Sequence, residues 1–241
     1  MVKLVNLSVL SAAALALSAC DLPGSGLADA ATLHADAAQP ELVEERGGDA
    51  WCDDFEPGEG GMTDCALRVD GQRFVYFDYL TDADGYASEM VLTQHSFAGA
   101  TLATSEPVAV EPVHGAPALR DLDGDGHAEI LFGLMSGNVN TVYAVWREDA
   151  DGVFVPAGEV STYGIDSLEL RDGLIIAPSR GSAASYYEEA SRFGPDGLER
   201  VYLLEIDHAQ RHCQLTEVSG AAEGLDADTL IAACESRDWE D

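Results

Sequence analysis

The sequence predicts an all-β fold, either an antiparallel β-sandwich or a small propeller-like domain with one loop of special chemistry between two strands. Three observations carry this expectation. Asp-Gly dipeptides recur at 70–71, 84–85, 125–126, 151–152, 172–173 and 196–197, and Asp-Gly between apolar or alternating runs is a strong hairpin signal. The runs between these dipeptides are rich in β-branched and aromatic residues. Only two stretches invite a helix.

In chain order, residues 73–79 (RFVYFDY) form the first β-rich run, and residues 87–94 hold a second. Residues 139–147 follow, with Val142, Tyr143, Val145 and Trp146. Residues 167–170 and 174–177 flank Asp172-Gly173, and residues 198–206 follow Asp196-Gly197. Together they make a ladder of short antiparallel strands. Residues 182–193 contain Ala, Glu and Tyr but present no clean apolar face. Residues 226–234 are the better helix, with Asp226 or Asp228 as a cap before Leu230, Ile231 and Cys234. The DADG strings at 82–85 and 149–152 lack a third Asp at the right spacing and read as plain hairpin turns.

Residues 121–129 read DLDGDGHAE. Asp121, Asp123 and Asp125 alternate with residues that let the backbone curl, and Gly126 stands where a sharp turn is needed. His127 offers a backbone carbonyl, and Glu129 stands at the ninth position. These are hard oxygen donors at the spacing of a calcium loop. An EF-hand needs a bidentate Glu at the twelfth position and helices on both sides. Here the twelfth residue is Phe132, Pro117 precedes the loop, and an apolar run at 130–134 follows it. The loop therefore resembles the FG-GAP or VCBS type, which lies between strands and takes its last side-chain ligand from the ninth position. That resemblance implies Ca²⁺ in a structural role. Glu129 departs from the Asp usual there. The plainer reading is an Asp/Gly-rich turn with no metal, although three alternating carboxylates repel one another unless a cation is present.

Residues 1–19 read as a signal peptide: Lys3 is the positive residue, and residues 4–17 form an apolar run too short to span a bilayer comfortably. The Leu17-Ser18-Ala19-Cys20 string resembles a bacterial lipobox, which implies lipidation of Cys20 and a membrane anchor facing the periplasm. Residues 20–48, rich in Ala, Asp, Gly and Pro, read as a flexible tether. Residues 49–241 then make one domain large enough for a real core. Cys52, Cys65, Cys213 and Cys234 are an even set in an exported chain and predict two disulfides. Three pairings are open, and the local one is the simplest.

The formal charge is −32, with 44 acidic residues against 12 basic ones, and the one lysine is Lys3. Such a chain repels nucleic acid and anionic headgroups. Its charge suits either a cationic partner or salty surroundings.

A wider pattern surrounds the acidic loop. Ser136-Gly137-Asn138 follows it, then residues 142–146 (VYAVW), 152–155 (GVFV), a Ser-rich segment at 178–187 (PSRGSAASYY), and 197–202 (GLERVY). This order resembles periplasmic lipoproteins with a single calcium loop, whose best-known type is an immunity protein against peptidoglycan-cleaving effectors of antibacterial secretion systems. That type is similar to inhibitors of invertebrate-type lysozyme. The resemblance spans residues 116–206 and implies a protein partner, a muramidase or another peptidoglycan hydrolase, blocked by a loop of small residues and a Tyr. Two segments fit, 136–143 and 179–187, with Ser136, Gly137, Tyr143, Arg180, Gly181, Ser182 and Tyr186 as candidate contacts. The alternative is that these are ordinary loops whose tyrosines pack in the core, in an envelope or adhesion-type lipoprotein that inhibits nothing. Catalysis is not expected. No G-x-S-x-G elbow occurs, and His208 and His212 lack a Glu arranged for a zinc protease.

Overall fold

The computed structural model describes residues 50–56, 59–219, 225–237 and 239. Residues 1–19 and 20–48, expected as signal peptide and tether, and with them Cys20, lie outside these residues.

The expected all-β fold is present as three sheets. The first holds β1 (Ala50–Trp51), β2 (Cys65–Arg68), β3 (Arg73–Thr81), β4 (Ala87–Ser96), β5 (Thr101–Thr104) and β6 (Val108–Ala109), with β5 and β6 both pairing with β4. The second is a meander of β7 (Ala118–Arg120), β8 (Glu129–Ser136), β9 (Thr141–Glu148) and β10 (Phe154–Thr162). The third is a meander of β11 (Glu169–Arg171), β12 (Leu174–Arg180), β13 (Ser185–Gly194), β14 (Gly197–Asp207) and β15 (His212–Val218). Every pairing is antiparallel except β1 with β2. No sheet closes into a barrel.

The sheets stack face to face because successive side chains on a strand point to opposite faces. On β8, Ile130 and Phe132 enter the core shared with the first sheet, while Leu131 between them enters the core shared with the third. On β9, Ala144 and Trp146 face one way, and Tyr143 and Val145 the other. The middle sheet is thus apolar on both faces. On β12, Ile175 and Ala177 face the middle sheet, and Ile176 faces a third core. That third core includes Tyr202, Leu204 and Ile206 and is covered by α1 (Ala227–Glu235).

Two side-chain amides sew adjacent sheets together. Gln94 Nε2 donates to the Phe154 carbonyl at 2.8 Å, and the Phe154 N–H donates to Gln94 Oε1 at 2.9 Å. Asn140 repeats the device between the second and third sheets: its Nδ2 donates to the Arg180 carbonyl at 2.8 Å, and the Arg180 N–H donates to its Oδ1 at 2.9 Å. Each amide mimics a strand partner and satisfies a donor and an acceptor together.

The local disulfide pairing is the one formed. Cys52 joins Cys65 near the start of the first sheet, and Cys213 joins Cys234 between β15 and α1. Such bonds persist in oxidising compartments. Among the described residues, no helix is long and apolar enough to cross a membrane. Of the two helix candidates, residues 227–235 are helical with Asp226 at the N-cap. Residues 185–194 are strand β13, because this segment supplies Ala190 to the third core and pairs on both sides.

Candidate metal centre and hairpin tips

The acidic loop joins β7 to β8, between strands as expected. It is shaped by its own carboxylates. Asp121 Oδ1 accepts the Gly124 N–H at 2.7 Å, and its Oδ2 accepts the Gly126 N–H at 3.1 Å. Asp123 Oδ1 accepts the Asp125 N–H at 3.2 Å, and Asp125 Oδ1 accepts the His127 N–H at 2.7 Å. Gly126 holds φ +88°, a backbone region that L side chains rarely enter. Leu122 points inward and belongs to the core between the second and third sheets.

Asp121, Asp123 and Glu129 bring one carboxylate oxygen each to within 4.8 Å of one another, an arrangement that could hold a metal ion. Glu129 is the innermost of the three and is 0% exposed. Its Oε2 accepts the Leu122 N–H at 2.9 Å. Its Oε1 is buried and has no hydrogen-bond partner. The nearest cation is Arg147, whose Nε stands 3.6 Å from that oxygen, too far for a hydrogen bond. Burial pushes the Glu129 carboxyl up to about 7, and the charge of Asp123 adds to the rise against the pull of the Leu122 N–H and Arg147. A buried carboxylate oxygen without a partner is costly, and either a proton or a bound cation relieves that cost. The residues present therefore fit a bound ion.

Asp125 stands apart from this triad. Its Oδ2 lies 2.7 Å from Arg147 Nη2, which also stands 3.1 Å from Asp123 Oδ2. The His127 N–H, with Arg147, holds the Asp125 carboxyl below the usual carboxylate range. His127 is exposed at the loop surface.

The chain matches no family model, no curated protein and no solved structure.

The two candidate contact segments are hairpin tips, and the structure brings them together. The β8–β9 turn runs through residues 137–140, with the Gly137 N–H donating to the Asn140 carbonyl at 2.7 Å. The β12–β13 turn runs through residues 181–184, with the Gly181 N–H donating to the Ser185 carbonyl at 3.0 Å. Asn140 joins them through its double hydrogen bond to Arg180. Gly137, Gly181 and Ser182 are exposed, and Ser136, Arg180 and Tyr186 are half-buried.

Tyr143 is 6% exposed and packs in the core between the second and third sheets, because strand alternation turns it inward with Val145. What remains accessible of it lines the groove beside the first tip. Arg180 is also committed locally. Its Nε donates to the Ser182 carbonyl at 2.7 Å and its Nη2 to the Ala183 carbonyl at 3.0 Å, while its guanidinium lies 5.2 Å from the Tyr186 ring centre. It stiffens its own turn. The Tyr186 ring also packs at a tilt against His208, with ring centres 4.3 Å apart.

Beside the first tip lies a groove of about 710 Å³. Val139 and Tyr163 line one side, 46% and 39% exposed, and Phe55 and Glu56 contribute from the start of the first sheet. Sequence reasoning missed Asn140, Val139 and the groove, because nothing local marks an amide or an apolar side chain that meets another sheet.

Proposed function

We propose that this chain is a calcium-stabilised lipoprotein domain of the cell envelope that binds a protein partner, in the manner of an inhibitor or immunity protein against a peptidoglycan hydrolase. The observation that carries the binding part is the pair of hairpin tips, exposed at small residues and locked to each other by Asn140. A tip held rigid before binding loses little entropy on docking, which is where affinity is most easily lost. Small residues let a tip enter a cleft, and the half-buried Tyr186 and exposed Val139 add apolar contact beside them. The acidic surface suits a basic hydrolase, because opposite charge steers encounter.

Calcium is the favoured ion because the loop offers only oxygen. Asp121, Asp123 and Glu129 supply the core of the set, and Asp125 and the His127 carbonyl would complete it. Zinc and the softer metals prefer nitrogen and sulfur. The ion would lock the β7–β8 corner and neutralise Glu129.

The purified protein is to be mixed with muramidases, including any encoded beside its gene, while lysis of cell walls is followed. Protection together with a complex on size exclusion is the expected result. Lysis unchanged and no complex with any of them would leave a non-inhibitory envelope lipoprotein. The metal is tested separately by melting in calcium and in chelator. A ligand that binds only the folded state raises the midpoint, so equal midpoints at saturating calcium would remove calcium from the proposal.

A further inference from the structure

We propose that Arg147 is the loop's internal rival to the cation: it sets how tightly the loop takes a hard divalent ion and holds the loop together when none is bound. The inference rests on the metal reading above and deepens it. Arg147 lies on β9, beside β8, and its guanidinium addresses three of the loop's acids. Nη2 stands 2.7 Å from Asp125 Oδ2 and 3.1 Å from Asp123 Oδ2, and Nε stands 3.6 Å from Glu129 Oε1. Asp123 and Glu129 belong to the triad whose oxygens converge within 4.8 Å. One guanidinium and one ion therefore seek the same carboxylates.

The two differ in how well they serve Glu129. Arg147 approaches that buried oxygen but leaves it without a hydrogen bond. A divalent ion carries twice the charge and approaches carboxylate oxygens to about 2.3–2.6 Å in a calcium site. The guanidinium also has a second anchor. Its carbon lies 4.4 Å from the ring centre of Phe193, on β13 of the third sheet. A cation over an aromatic face is attracted to it independently of the loop. Arg147 can thus give up the carboxylates and stay where it is packed. Asp125 is the residue that changes hands, since its Oδ2 is held by Arg147 at 2.7 Å and it lies outside the triad.

The test is a calcium titration by calorimetry of the protein and of Arg147→Met, which keeps an apolar stem near Phe193 and removes the charge. Arg120→Met is the control, because Arg120 adjoins the loop in sequence but its guanidinium pairs with Asp166 at 3.1 Å. Arg147→Met is expected to bind calcium about tenfold tighter or more, as loss of a charge-assisted contact of this kind implies. Its midpoint in chelator falls below that of the unaltered protein, and its gain on adding calcium is larger. In the unaltered protein, the Arg147 Nε–H resonance in ¹⁵N spectra shifts as calcium saturates. If the protein binds calcium and Arg147→Met binds it equally or more weakly, the rivalry is overturned and the metal site stands. Equal tightening in Arg120→Met also overturns it, since a general field would then explain the gain. Calcium binding by neither the protein nor Arg147→Met overturns both readings. Should Arg147→Met not fold in chelator, the resonance decides alone: a stationary Nε–H through saturation overturns the proposal.

Discussion

Glu129 concentrates the local physics of this protein. Its carboxylate is wholly buried, one oxygen is held by the Leu122 N–H, and the other has no hydrogen bond. Glu129→Gln keeps the shape and removes the charge. It is expected to raise the melting midpoint in chelator, corresponding to about 1–3 kcal/mol from relief of a poorly paired buried group. The same change is expected to abolish the rise on adding calcium. Opposite effects in the two buffers, read by calorimetric melting, are the signature of a ligand rather than of a packing residue. Asn140 is a different case, since its contribution is geometric. Asn140→Ala leaves the Arg180 N–H and carbonyl without their partner, and is expected to cost about 1–3 kcal/mol in urea unfolding. Faster hydrogen exchange at the Arg180 amide checks that the loss is at the tips. The acidic spacing at 121–129 was readable from the sequence because the loop's donors are close along the chain. The committed state of Arg180 and the inward turn of Tyr143 were not, because both depend on which strand face meets another sheet.

At the scale of elements, the Asp-Gly dipeptides at 70–71, 84–85, 125–126, 151–152, 172–173 and 196–197 all stand at connections between consecutive antiparallel strands, and a seventh, at 123–124, shares the β7–β8 loop. Asp172 and Gly173 both hold positive φ, +53° and +75°, as a two-residue hairpin turn requires. The two DADG turns share one geometry. The Asp82 Oδ1 accepts the Asp84 and Tyr86 N–H groups at 2.9 and 3.0 Å, and the Asp149 Oδ1 accepts the Asp151 and Val153 N–H groups at 2.9 and 3.0 Å. They are plain turns, as expected from their missing third Asp. Turns without this dipeptide, at 97–100, 137–140, 181–184 and 208–211, were less legible because their side chains carry no comparable signal. The helix α1 depends on its tether to β15. Its N-cap Asp226 makes no side-chain capping bond to the backbone, and its covered face rests on Cys234, Leu230 and Ile231. Replacing Cys213 and Cys234 together by Ala is expected to destabilise the protein by about 3 kcal/mol, the loop-closure value for a crosslink of this span. Hydrogen exchange should then quicken in α1 and β15 before it does in β8 or β9.

For the whole molecule, stability is expected to fall at alkaline pH. Burial pushes Tyr79 up to about 12, with the charge of Asp64 adding to it. Burial likewise pushes Tyr202 up to about 12, with Glu188 adding to it. Tyr202 donates to Glu188 Oε1 at 3.1 Å, and Glu188 also holds Arg171 and Arg237 at 3.2 and 2.8 Å, tying β11 and the segment after α1 to β13. Both phenols are neutral in the fold and ionise near pH 10 in an unfolded chain. Their contribution is therefore intact below about pH 10 and is lost as pH rises through about 12, up to about 3 kcal/mol for each tyrosine. Urea unfolding between pH 9 and 11.5 reads the loss, and Tyr79→Phe should flatten it. A flat profile in the unaltered protein would contradict the burial assigned to these phenols.

By itself the sequence determined the all-β class, the positions of most hairpins, the strand-flanked acidic loop and the even set of cysteines. Each of these is written in local spacing: alternation of period two, turn residues with special backbone freedom, and carboxylates a few residues apart. Tertiary structure alone decided how three sheets stack, which of the three cysteine pairings forms, and which side chains cross between sheets. Gln94 and Asn140 meet backbone 60 and 40 residues away, and Arg147 on β9 meets Asp125 in the β7–β8 loop and Phe193 on β13. Such contacts depend on burial and sheet-to-sheet register, which no short window of sequence contains. The same holds for Glu129, whose place in the chain marks it as a candidate ligand but whose unpartnered oxygen exists only because the fold buries it completely.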